Sequence, residues 1–150
     1  EFMTNQSQAT VDALAKLLAS SYTLYVKTHN YHWNVTGPMF SSLHTLFELQ
    51  YTELALALDE IAERIRSLGA FAPGSFTAFA DGGAVEEENG RTKATDMVVN
   101  LANDQDTISN LAQKVIETAE AHGDQASIDL AVRRMNIHQK NAWMLRSQLE

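Results

Sequence analysis

The sequence predicts an all-α fold: a bundle of four long helices joined by one long crossover that carries a short helix. Three observations predict it. Apolar residues recur at steps of three and four along four long stretches, which is the period of an amphipathic helix. Two short breaks and one long one separate the stretches, and no run alternates polar and apolar residues for long enough to read as a strand. The 150 residues are 45% apolar with only two prolines, a size and composition suited to one core and one domain.

The first helix is read over residues 11 to about 34, with Val11, Leu14, Leu17, Leu18, Leu24 and Tyr25 on its apolar side and Thr10 as its N-cap. Thr36-Gly37-Pro38 breaks the pattern, and Pro38 opens the second helix because its missing N–H falls among the unpaired donors of a first turn. That helix runs to Leu68 and ends at Gly69. Residues 70–91 hold Pro73, Gly74, Gly82, Gly83 and Gly90 with the acidic run Glu86-Glu87-Glu88, and read as a crossover in which SFTAFA forms a short helix. Thr95 caps a third long helix through Met97, Val98, Leu101, Ile108, Leu111, Val115 and Ile116, which stops at His122-Gly123. Asp124 caps a fourth through Ile128, Leu130, Ala131, Met135, Ile137, Trp143, Met144 and Leu145. Short, long and short connections between four helices describe the ferritin-like arrangement.

Composition removes several functions. Cysteine is absent, which excludes disulfides, thiolate metal sites and thiol nucleophiles and agrees with a reducing compartment. No stretch nears the roughly 18 apolar residues of a membrane span, and the start lacks the basic and apolar regions of a signal peptide, so a cytoplasmic protein without a membrane partner is expected. Glu1 and Phe2 precede Met3 and read as additions ahead of a native start, leaving 3–150 as the domain. The formal charge of −8, from 19 acidic and 11 basic residues, disfavours general nucleic-acid binding and suits cations as substrates.

The residues with most chemistry lie in 29–63, HNYHWNVTGPMFSSLHTLFELQYTELALALDEIAE. His32, His44, Glu48, Asp59 and Glu63 are metal-ligand types, and carboxylate with imidazole suits a hard or borderline ion such as Fe(II), with zinc able to use some of the same donors. On a helix rising about 1.5 Å per residue, His44 to Glu48 and Asp59 to Glu63 each span about 6 Å, but Glu48 to Asp59 spans roughly 16 Å. Each pair shares a helix face, and neither completes a shell alone. If two copies of the helix pack antiparallel about an axis near Glu53 and Leu54, residue 44 of one faces residue 63 of the other, and the dimer gains two equivalent sites. His32 then joins His44 and Glu48 of its own subunit. The intrasubunit di-iron alternative needs Glu-x-x-His, yet the positions three before each histidine, 26, 29, 41, 119 and 135, hold Val, His, Ser, Ala and Met.

The stretch KTHNYHWNVTGPMFSSLHTLFELQYTELALALDEIAERIRSLG resembles the signature of the Dps proteins, or miniferritins, and NAWMLRSQLE is similar to that family's last helix. The resemblance covers residues 13–149. It implies a hollow dodecamer whose ferroxidase centres sit at two-fold interfaces, with His32, His44 and Glu48 from one subunit and Asp59 and Glu63 from its partner. One departure stands out: many members have Asp where this chain has Glu48, and the longer side chain is expected to alter iron geometry or affinity without abolishing the site. The implied reaction is oxidation of Fe(II), preferably by hydrogen peroxide, with storage of ferric mineral and protection against oxidative stress. The resemblance also implies iron-entry pores on three-fold axes, where Asp124, Asp129 and nearby Glu120 match the acidic positions.

Trp33, beside His32, is placed to relay or absorb an electron or else to pack at a helix end, and Tyr31 and Tyr51 are candidates of the same kind. His29 sits one turn from His32, as a second metal site or a hydrogen-bonding neighbour. His122 suits a helix C-terminus, and His138 reads as structural. Many Dps proteins bind DNA through a lysine-rich tail; here the first basic residue is Lys16, inside a helix, so DNA binding is expected to be weak or absent. Three functions stay open at this stage: an iron-oxidising store, a metal-binding shell without turnover, and a DNA-compacting shell.

Overall fold

The computed structural model describes residues 5–150, and the expected start at Met3 lies outside them. Five helices follow in order: α1 (Asn5–Asn34), α2 (Phe40–Ser67), α3 (Phe76–Gly82), α4 (Ala94–Glu120) and α5 (Gln125–Arg146), closed by a 3₁₀ turn, Ser147–Leu149. The short α3 lies in the crossover and packs on α1; among the long helices α1 packs on α2 and α4, and α4 on α5. The four-helix bundle with one crossover is therefore the fold, as the periodicity predicts.

Its core is mostly aliphatic. Leu14, Leu17, Leu24, Leu43, Phe47, Ile61, Ile65, Leu101, Ile108, Ala112, Val115 and Leu145 are wholly or almost wholly buried, and each large side chain among them contributes about 1.5–3 kcal/mol relative to exposure. The other side of α2 faces outward and includes Leu49 and Leu56, 63% and 75% exposed, one on either side of Glu53.

Helix ends depart from expectation where tertiary contacts outweigh local signals. The first helix starts at Asn5, not Val11, and Thr10 is buried inside it instead of capping it. No breaker precedes Val11, so the helix extends through polar residues, and Gln8 Nε2 donates to Asp12 Oδ1 one turn on at 2.8 Å. Pro38 sits in the turn closed by Phe40 N–H on the Gly37 carbonyl (3.0 Å), two residues before α2 begins, and Gly37 supplies the positive φ of +103°. At the far end of α2, Gly69 N–H bonds the Arg66 carbonyl and Ala70 N–H that of Ile65, with Gly69 at φ +96°. This is the Schellman closure that the glycine announces.

Thr95 also does not cap: α4 begins at Ala94, with Lys93 in the cap position. The chain is fixed just upstream, where the Glu88 carboxylate accepts from the Thr92 hydroxyl, the Gly90 N–H and the Tyr31 hydroxyl. Asp124 does cap α5, accepting from Ser127 N–H at 3.1 Å, and Ser75 caps α3.

Candidate metal centre

The turn at Gly37 folds α2 back along α1 and brings two histidines twelve residues apart into contact. Their rings stack with centroids 3.8 Å apart and planes 12° apart. His32 Nδ1 donates to the His44 carbonyl at 2.7 Å, and His44 Nδ1 donates to the His32 carbonyl, also at 2.7 Å. A carbonyl oxygen only accepts, so each Nδ1 carries a proton, and Nε2 is the ring atom left to meet a metal. Anchoring of this kind is how proteins orient metal-binding imidazoles. Glu48 follows His44 by one turn and is exposed.

Asp59 and Glu63 lie three turns further along α2, both exposed. Their carboxyl groups are close enough that a hydrogen bond from the protonated Glu63 carboxyl to Asp59, together with the negative charge of Asp59, pushes the Glu63 pKa up. Two carboxylates that resist sharing one space unless a cation or proton joins them are suited to metal binding. The fold brings His32 to His44 but leaves the acidic pair on another part of the same rod. Among the described residues, no three His, Asp or Glu side chains assemble a metal shell within the single chain.

Around the histidine pair lies an aromatic cluster. Trp33, 62% exposed, lies against His29 at 3.9 Å; His29 stacks on Tyr51 at 4.3 Å, and Tyr51 meets His32 edge-on at 5.2 Å. Burial and the nearby His32 lower the His29 pKa. Partial burial and the Glu48 charge raise that of Tyr51, keeping its phenol protonated. Tyr51 in turn touches Tyr25, and Tyr25 touches Tyr22, at 5.9 Å in each case. Tyr25, His29 and Trp33 each stand out in the sequence, but Tyr22 does not, and the helical spacing of Tyr22, Tyr25, His29 and Trp33 is the signal that joins them into one stripe. Tyr31 stands apart: its hydroxyl is 2.6 Å from Glu88 and accepts from Asn100, and burial drives its pKa up.

Among the described residues, the polar cluster in the bundle interior is no rival centre. Arg134, 3% exposed, holds both oxygens of Glu53, at 2.6 and 2.9 Å, and donates to His138 Nε2 at 3.1 Å, while His138 Nδ1 donates to Gln105 at 2.6 Å. Burial and the neighbouring guanidinium hold the His138 pKa far below the usual value. A cation placed here would meet a buried positive charge.

Of the three acids matched to an entry pore, Glu120 and Asp129 are exposed. Asp124 is otherwise engaged: Oδ1 accepts from Arg64 at 2.9 Å and from the Ser127 amide, and Oδ2 from the Ser127 hydroxyl. Burial alone would raise its pKa, but the Ser127 bonds, Arg64 and His122 together bring it below the usual range. Across the described residues no helix is long and apolar enough to cross a membrane.

The ferritin-like domain family matches residues 11–150. An uncharacterised low temperature-induced protein of Nostoc sp. is 42% identical over 147 residues, covering 97% of this chain and 82% of the relative. Among solved structures, a Dps protein from Bacillus brevis superposes with a TM-score of 0.96 at 32% identity, covering 99% of this chain and 100% of its own. A DPS protein from Vibrio cholerae, described as a member of a broad superfamily of ferritin-like diiron-carboxylate proteins, superposes at 0.94 with 30% identity over 100% and 99% of the two chains.

Proposed function

The chain belongs to the Dps family of ferritin-like proteins, and from that premise we propose that it oxidises Fe(II), preferably with hydrogen peroxide, and stores the ferric product inside a dodecameric shell. The observation that carries this reading is the reciprocal pair His32 and His44, two imidazoles with Nδ1 tied to backbone and Nε2 free, one turn from Glu48. These are nitrogen and oxygen donors of the kind iron takes.

The reaction centre is shared between subunits. His32, His44 and Glu48 come from one protomer, and Asp59 and Glu63 of the partner subunit close the shell across an antiparallel α2 pair centred near Glu53 and Leu54. The pair makes two such centres. In each, the histidines hold the substrate iron, the carboxylates balance its growing charge, and Trp33 lies within reach of an electron. Two Fe(II) and one peroxide, with two protons, give two Fe(III) and two waters. Withdrawing both reactants together prevents hydroxyl-radical formation and protects against oxidative stress. Zinc suits the same donors and competes as an inhibitor.

Iron enters through acidic three-fold pores, where exposed Glu120 and Asp129 raise the local cation concentration; Asp124, committed to Arg64 and Ser127, shapes the helix start beside them. DNA binding is weak or absent. Stopped-flow oxidation of Fe(II) by peroxide tests the reading: a double variant, His44→Ala with Glu63→Ala, is expected to lose at least about 100-fold in rate, beyond the usual loss on removing even an outer partner of a metal site. Unchanged kinetics in that variant would refute the ligand assignment.

A further inference from the structure

Three of the chain's four tyrosines form a line that leaves the candidate centre and travels along α1 and α2. Tyr51 is 5.2 Å from the His32 ring, Tyr25 is 5.9 Å from Tyr51, and Tyr22 is 5.9 Å from Tyr25. The far end of this line is chemically placed. Tyr22 and Tyr25 share with Asp59 and Ala55 the wall of one open depression of about 420 Å³. One end of the line therefore touches the histidine half-site, and the other shares a depression with Asp59 of the acidic half-site of the same chain.

In an antiparallel α2 pair those two half-sites belong to different metal centres. We infer that Tyr51, Tyr25 and Tyr22 relay oxidising equivalents between the two iron centres of a subunit pair, an inference that rests on the ferroxidase reading above. Tyrosine is among the few side chains that yield one electron under biological oxidants, losing its phenolic proton as it does so; phenylalanine of the same shape does not.

The relay answers a problem of electron count. Peroxide takes two electrons, and a centre holding one Fe(II) gives one. Tyr51 supplies the other: H2O2, Fe(II), the phenol and one proton become Fe(III), a tyrosyl radical and two waters. Hole transfer through Tyr25 and Tyr22 then lets Fe(II) at the second centre refill the radical, taking up one proton and leaving Fe(III) and the intact phenol. The sum is two Fe(II) oxidised per peroxide although the two ions never share a centre. Tyr51, Tyr25 and Tyr22 are relay residues in this scheme, and the iron ligands remain those named above.

The experiment is freeze-quench electron paramagnetic resonance on the assembled protein given about one Fe(II) per subunit pair, then peroxide, then further Fe(II). Wild type is expected to show a transient organic radical whose signal narrows when the protein is made with ring-deuterated tyrosine, and which the second Fe(II) addition discharges. Tyr25→Phe keeps the radical but slows its discharge about tenfold or more, and Tyr25→Trp, oxidisable again, restores it. Tyr51→Phe moves the signal to Trp33, so that deuterated tryptophan now narrows it. Equal discharge in wild type and Tyr25→Phe, or a wild-type signal sensitive only to deuterated tryptophan, overturns the relay. Loss of all peroxide-dependent Fe(II) oxidation in wild type overturns the ferroxidase reading and the relay with it; normal oxidation with unaltered discharge overturns the relay alone.

Discussion

Glu53 on α2 and Arg134 on α5 meet through two hydrogen bonds, of 2.6 and 2.9 Å, at the midpoint between the histidine and acidic half-sites. The guanidinium is buried and the carboxylate half-exposed, so the pair ties the bundle interior to the face on which we place the two-fold contact.

Removing one partner is expected to cost more than removing both. Glu53→Ala leaves the Arg134 charge buried and uncompensated, a loss of about 3 kcal/mol, the lower part of the range because Glu53 is partly wet. Adding Arg134→Met to the same chain should recover most of it. Chemical denaturation of the two variants beside wild type reads the difference, and an additive loss in the double variant would show that the ion pair has no such role.

Acid should weaken the fold through His138. Its folded pKa lies below the ordinary value of 6.5, first from burial and then from Arg134, so the unfolded chain takes up the proton first. Stability is unaffected above about pH 6.5 and falls below it by about 1.4 kcal/mol per pH unit until the folded pKa is reached. Urea midpoints measured from pH 7.5 to 5 should therefore drop less steeply in His138→Gln than in wild type; parallel curves would exclude His138 as the source.

Mixing defective subunits should restore activity. One parent carries His32→Ala with His44→Ala, the other Asp59→Ala with Glu63→Ala, and each alone is inactive. In a mixed pair one centre receives both defects and the other receives neither. Random mixing thus returns about a quarter of wild-type peroxide-dependent oxidation. No recovery after verified exchange of subunits would place all the ligands within one chain.

DNA should not be retained. The net charge is −8, and Lys16, the first basic residue, lies within α1. A gel shift at neutral pH and low salt should show free DNA at all protein concentrations; stoichiometric retardation would contradict the electrostatic argument.

The three- and four-residue period placed all four long helices because burial of one face is a local property of each helix. Gly69 and Asp124 were legible for a similar reason: a positive φ and a side-chain cap act within a few residues. Thr10 and Thr95 misled because helix starts depend on what holds the chain upstream, and Glu88, which does so before α4, takes its hydroxyl partner Tyr31 from 57 residues away. In the site, His32 and His44 stood out by residue type, but the hydrogen bonds that each Nδ1–H donates to the other's carbonyl require the hairpin between α1 and α2. The Glu53–Arg134–His138–Gln105 chain spans three helices, and no local pattern announces it.

Leu49 and Leu56 remain bare on the outer side of α2 in the lone subunit. In the antiparallel α2 pair that we propose these side chains are covered, so that association favours the folded protomer by mass action and dilution opposes it. The melting temperature should then climb with protein concentration until pairing is complete.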